Sequence, residues 1–384
     1  YYDEWKKDKH SMSHNNPLFL SIYEQFKEDN PDKNGNCALC HNPEAALDKQ
    51  FDIRKTKNTN GVSCDFCHKI ESIDQNPLKK GIDGLNIKRI CKGANDIRFG
   101  QLKDPIQPGK HEELKYNSIY KTSLACAKCH DGNSGNVQTY STFTEWVNSP
   151  AAKKGVQCQS CHMQPRPGDK GYIVDNPEIK RKLRPYYEIH SHSFLSENPH
   201  EFRKKYLDLQ LHAKKINGKV IVTAQISNNN AGHSFPTGST MRNAILLISV
   251  NRKGTVTVPL LKGPILPNYA ANLKGKPGKL FAKILAETDN MYASKHSKAG
   301  ILFRKIANDL GIPAQDWWNV FITSDTRIKA GESDVSIYEF ETKPYDKVEV
   351  TSTLLWRNAW PGLAKLKRLK FEEDVIFEKK VILN

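Results

Sequence analysis

The sequence predicts an α+β protein: a loop-rich, mainly helical domain followed by an antiparallel β-sandwich. Three observations predict it. The pattern C-x-x-C-H occurs four times, at Cys37–His41, Cys64–His68, Cys126–His130 and Cys158–His162. The stretches 71–110 and 164–200 are rich in Gly, Pro, Asn and Asp or otherwise polar, as loops are. From about Phe202 onward, apolar and polar residues alternate in strand-length runs, and no C-x-x-C-H occurs there. The expected domains are 1–201 and 202–384, the second with an insertion at about 263–330.

C-x-x-C-H is the attachment signature of c-type haem. Two thiols at this spacing add to the two vinyl groups on one edge of a porphyrin. The adjacent His then reaches the iron as proximal ligand. Cys37, Cys40, Cys64, Cys67, Cys126, Cys129, Cys158 and Cys161 are the predicted attachment points, and His41, His68, His130 and His162 the predicted iron ligands. Zinc sites, redox dithiols and disulfides also use C-x-x-C pairs. None of them explains a His directly after the second Cys every time. Four covalently attached haem c groups are therefore expected.

The elements follow in order. Glu4-Trp5 opens the chain, with His10 five residues on, and Glu145-Trp146 repeats the pair. Gly61-Val62-Ser63-Cys64 matches Gly155-Val156-Gln157-Cys158 in the same way. Together they hint at an internal duplication. Asn16-Pro17 reads as an N-cap and first helical residue. Leu18, Phe19, Ile22, Tyr23 and Phe26 share one helical face, and Asn30-Pro31 ends the helix. A second helix is expected over Tyr140–Val147. Alternation predicts strands around 220–226, 244–250, 348–354 and 375–383. The insertion holds Pro264, Pro267, Pro277 and the pair Trp317-Trp318, which assign it no role by themselves.

Only 38% of the 384 residues are hydrophobic, low for one conventional core. Porphyrin faces would supply the missing apolar surface. Eight of nine cysteines lie in the motifs; Cys91 is left over and reads as a structural thiol. The formal charge of +16 is scattered, with no tract of the nucleic-acid-binding kind. It would steer acidic redox partners or anionic acceptors. No run long enough to span a membrane as a helix occurs. Haem attachment of this type happens outside the cytoplasmic membrane. The chain begins at Tyr1 without an apolar leader, so an exported protein is expected, periplasmic, surface-attached or extracellular.

The sixth ligand of each iron decides the chemistry. Beyond the four motif histidines, nine His remain against four Met, which favours bis-His ligation. Residue types alone leave the choice among the nine open.

The chain resembles the cytochrome c-554-like family of multihaem cytochromes, over most of residues 1–250. Trp5 and His10 match its Trp-x-x-x-x-His segment, and His111 its His before the third motif. Glu145, Trp146, Ser149 and Gly155–Met163 match its Glu-Trp-x-x-Ser and G-V-x-C-x-x-C-H-M. His192 and Phe194 match its His-x-Phe, and Gly232–Gly238 its Gly-His-x-Phe-Pro-Thr-Gly. The resemblance implies His10, His111, His192 and His233 as distal ligands, with His14 and His190 in reserve. His233 also lies in a predicted inter-strand loop, where Pro236-Thr237-Gly238 can fix a tight turn. The function implied is electron transfer through closely spaced bis-His haems. The alternative is a multihaem oxidoreductase acting on a small nitrogen compound at one open haem. Redox proteins or extracellular electron acceptors are the expected partners. Tetrahaem cytochromes that form extracellular wires share the motif count, and self-assembly into a haem-wired filament is a further expectation.

Overall fold

The computed structural model describes all residues except 89–95, 108–111, 167–169, 173–182, 195–197, 253–255, 289–297 and 344. Cys91 and His111 lie outside the described residues. The chain divides into two compact units: 1–132 with 155–197, and 133–154 with 198–384.

The first unit carries all four motifs. Its longest helix is Pro17–Asp29, where the Asn16 side chain accepts from Phe19 N at 3.1 Å. Proline at the first helical position loses no hydrogen bond there. Tyr23 packs with Ala38, Leu39, Ala46 and Ile53, and Phe19, Leu20 and Phe26 flank them. A second small cluster gathers Phe66, Ile70 and Leu85. The helix ends where the buried Lys27 ammonium donates to Pro31 O and Lys33 O at 2.9 and 2.7 Å. The stretch 71–110 is less irregular than expected. Ile70–Ile73 pairs antiparallel with Leu85–Ile87, and Asp96–Gly100 pairs parallel with Glu112–Tyr116. Strands of three to five residues are too short for alternation to reveal.

The second unit is a two-sheet sandwich. One sheet runs, in spatial order, Leu260–Lys262, Ser333–Glu341, Lys219–Ser227, Asp208–Ile216. The other runs Val256–Thr257, Asn243–Arg252, Val348–Arg357, Glu373–Leu383, with Gly278–Phe281 also paired to Asn243–Arg252. All pairings are antiparallel. Asn217 and Gly218 both take positive φ, 49° and 72°, the two-residue turn that matches strand twist. Val220, Val222, Ala224 and Ile226 face Leu246, Ile248, Val250, Val350 and Leu354 in one core.

Three details differ from the sequence reading. Phe202 lies in a helix, Pro199–Tyr206, capped by Asn198. The region 263–330 is not wholly an insertion, because Gly278–Phe281 completes a sheet and Phe281 is fully buried. Lys283–Glu287 with Val320–Asp325 and the helix Lys298–Asp309 form the remainder. Finally, the segment 133–154 groups with the sandwich. Buried Lys283 holds it there, donating to Gln138 O, Thr139 O and Ser141 Oγ at 3.2, 3.1 and 2.9 Å. Val137–Ser141 is a strand, so the predicted helix begins only at Thr142 and runs Thr142–Val147.

Candidate haem-binding sites

Three motifs fold as about one helical turn, and the third starts at the end of one and closes with a further turn. The turns are Ala38–His41, Cys64–His68, Leu124–Ala127 and Cys158–His162. His41 N donates to Cys37 O at 2.9 Å, and His130 N to Cys126 O at 3.1 Å. In such a turn, residues i, i+3 and i+4 share one face. Both thiols and the imidazole of a motif are thereby aligned. Ser63 Oγ accepts from Phe66 N at 3.0 Å and starts the second turn. Ser123 Oγ accepts from Cys158 N at 2.9 Å, tying the fourth turn to the third.

The imidazoles are oriented through Nδ1. That atom faces Ser13 O in His41 (3.1 Å), Phe99 O in His68 (2.7 Å) and Phe194 O in His162 (2.8 Å). In His192 it faces His190 O (3.2 Å), and in His190 it faces Met163 O (2.6 Å). A carbonyl can only accept, so Nδ1 carries the proton and Nε2 presents its lone pair. His10 differs: its Nδ1 lies 2.8 Å from a carboxylate oxygen of the buried Asp8. Aromatic rings fix two of the imidazoles further. Phe19 stacks on His41 at 3.8 Å and Tyr120 on His68 at 5.7 Å, both within 3° of parallel.

Two histidine pairs lie close together. His10 and His130 have ring centroids 6.0 Å apart, and His68 and His192 are 6.3 Å apart. Two metal–nitrogen bonds of about 2 Å each, plus the offset of the ring centres, sum to roughly 6 Å. The residues therefore fit an iron between the rings, with thioether-forming thiols alongside. Thiols of different motifs also meet. The Cys40 thiol lies beside that of Cys129, and Cys126 beside Cys158, close enough for each to shift the other's ionisation.

Residues 1–69 and 99–163 match the family model of cytochrome c554 and c-prime. That region is cytochrome c554-like. Covalently bound haem c and electron transfer go with the family. A crystal structure of a penta-heme cytochrome c552 from Thermochromatium tepidum shares the fold. It has 21% identity and a TM-score of 0.72, over 100% of this chain and 95% of that one. No curated protein sequence matches this chain.

Burial lowers the pKa of His41 and His68. It takes that of His192 down to about 4, with His68 nearby adding to the effect. Rings that stay neutral are the form a metal takes. His14 is buried, its Nδ1 3.0 Å from Asn42 Nδ2. His233 has its Nδ1 3.1 Å from Ser234 O in the adjoining residue. Its loop is tightly held within the second unit. Glu145 accepts from Ser234 N at 3.1 Å, Thr237 Oγ1 at 2.7 Å and Ser141 Oγ at 2.7 Å. It also pairs with Arg327 Nη1 at 2.6 Å. Burial is the largest single influence and raises the Glu145 pKa; Arg327 and the hydroxyl donors outweigh it and bring it to about 2. The sequence reading assigned no role to Glu4, Asp8 or Arg166. The repeated Glu-Trp was a signal for Glu4; nothing in the spacing pointed to the other two.

Among the described residues, no helix is long and apolar enough to cross a membrane.

Proposed function

We propose that the chain is an exported electron carrier holding four haem c groups, one per C-x-x-C-H. Haem supplies one-electron chemistry; the chain binds, spaces and tunes it. The observation that carries this is the pair of histidine separations near 6 Å beside the second and third motifs. We assign His130 and His10 to one iron and His68 and His192 to another. His41 and His162 are proximal ligands of the other two, with His111 and His233 assigned to these on resemblance. A fifth covalent haem would need a further motif, which the sequence does not contain.

The thiol contacts support an order of haems. The third motif meets the first through Cys129 and Cys40, and the fourth through Cys126 and Cys158. Cys67 of the second motif lies close enough to influence both Cys126 and Cys129. The third motif is thus the hub, and a haem held there would lie beside those of its neighbours. Redox proteins or extracellular acceptors take the electrons, and copies join head to tail into a filament.

Intact mass spectrometry of the native protein tests the count: polypeptide plus four haems is expected, and a lower number or bound zinc defeats it. Spectropotentiometry of His10→Met and His192→Met tests the ligands. Each change should raise the potential of one haem, because a thioether favours the ferrous state.

A further inference from the structure

We propose that the dipeptide Glu4-Trp5 is a clamp that positions both axial imidazoles of the haem on the second motif. The proposal rests on the assignment of His68 and His192 to one iron. Neither residue touches the metal; both are positioning residues.

Trp5 holds the proximal side. Its indole Nε1 donates to Val62 O at 2.8 Å, two residues before Cys64. That contact fixes the lead-in to the turn Cys64–His68. Glu4 holds the distal side. One carboxylate oxygen accepts the backbone N–H of His192 at 3.1 Å. The other accepts from Arg166 Nη2 at 2.7 Å. The guanidinium of Arg166 lies 4.9 Å from the ring centre of Tyr1. Tyr1 in turn meets the His192 imidazole edge-on, with centroids 4.9 Å apart. Arg166 N donates to Ile189 O at 2.9 Å, so the arginine belongs to the strand-like ladder that carries His192. Glu4 and Trp5 are consecutive in the helix Tyr2–Lys7. Consecutive helical residues project about 100° apart. One rigid turn can thereby reach the two sides of one site at once.

The arrangement recurs. Glu145 of the second Glu-Trp pair also joins an arginine, Arg327, and also accepts a backbone N–H beside a histidine, that of Ser234. The Trp146 ring packs where a side chain on Gly232 would begin, 3.1 Å away. A glutamate bridging an arginine and a histidine-bearing segment thus occurs once in each unit. The Glu4–Arg166 pair is partly exposed, and such pairs add little stability. Its consequence lies in orientation: the two rings stand 34° apart in plane. In a ferric bis-imidazole haem that angle sets the EPR g-values, and ring orientation shifts the potential.

The test uses the mature holoprotein, with EPR and spectropotentiometry of Glu4→Ala, Trp5→Phe and His192→Met. The expected result is that Glu4→Ala and Trp5→Phe each change the g-values and potential of one haem. That haem is the one His192→Met changes, and the other signals stay in place. Glu4→Gln, which keeps an acceptor for His192 N, should restore part of the original signal. Should Glu4→Ala fail to mature, Arg166→Gln gives the same readout from the other end of the clamp. If the haem sensitive to His192→Met is untouched by Glu4→Ala and Trp5→Phe, the clamp is refuted and the ligation stands. Equal disturbance of every haem also refutes it, as a general folding effect. If His192→Met moves no haem, the ligand assignment itself is wrong.

Discussion

Asp8 is placed to tune, through the proposed ligand His10, a haem it would not touch. Its carboxylate accepts from the His10 imidazole at 2.8 Å and from His10 N at 2.9 Å. The Nδ1 atoms of His41, His68 and His162 face backbone carbonyls instead. A carboxylate on Nδ1 makes the ring a stronger donor, and a stronger donor favours ferric iron. Asp8→Asn keeps the acceptor and removes the charge. It should raise the potential of one haem and leave the low-spin spectrum intact, as spectropotentiometry would record; unchanged potentials in all haems would falsify this tuning role. At this scale, legibility divides sharply. The cysteines and proximal histidines were written in one five-residue pattern. The oxygen that orients each ring was not, because it comes from far along the chain: Phe99 for His68, Phe194 for His162. Only folding brings such partners together. His10 and His192 were accessible through resemblance, and each stands opposite a motif histidine.

Among the elements, the strand 219–227 and its partners were readable because one face is buried and the other is not. The helix Pro17–Asp29 was readable from its cap and its apolar face. Periodicity carries no information about which elements join. The segment 133–154 therefore looked like part of the haem-bearing region, although Lys283 and Glu145 fasten it to the sandwich. A fragment 202–384 leaves buried Lys283 without three acceptors. It should unfold at lower urea than a two-chain complex in which 133–154 is supplied as a peptide, followed by far-ultraviolet circular dichroism. Glu145 adds a pH dependence. Its pKa falls from 4.5 to about 2 on folding. A depressed carboxylate stabilises above the unfolded value, and that contribution is lost as pH falls through the folded one. The linkage amounts to about 3 kcal/mol. The urea midpoint of the second unit should thus drop between pH 5 and pH 2 by more in the native chain than in Glu145→Gln. Parallel curves would remove Glu145 from the account.

For the whole molecule, the low hydrophobic fraction is spread unevenly between the two units. The first unit has small clusters around Tyr23 and Phe66, while the sandwich has one continuous core. Removing haem should consequently unfold the first unit selectively, which hydrogen exchange on the apo chain would show as loss of protection confined to 1–132 and 155–197. Filament formation follows if a head-to-tail contact fails to close on itself. Electron microscopy of the native protein should show uniform helical fibres; a single monomer-sized species in light scattering rules them out.

The meeting of Cys40 with Cys129, and of Cys126 with Cys158, has a consequence for biosynthesis. In a chain that closes up before haem is attached, these would be free thiols side by side across different motifs. In an oxidising compartment, thiols so placed are prone to join in the wrong pairs. A Cys126–Cys158 disulfide would block two attachment sites with one bond. Under the proposed attachment, haem would have to reach the third motif while the surrounding chain is still open, or a reductant would have to keep the thiols from joining until it does. The compactness that brings the redox centres together thus makes assembly depend on the timing of the maturation machinery.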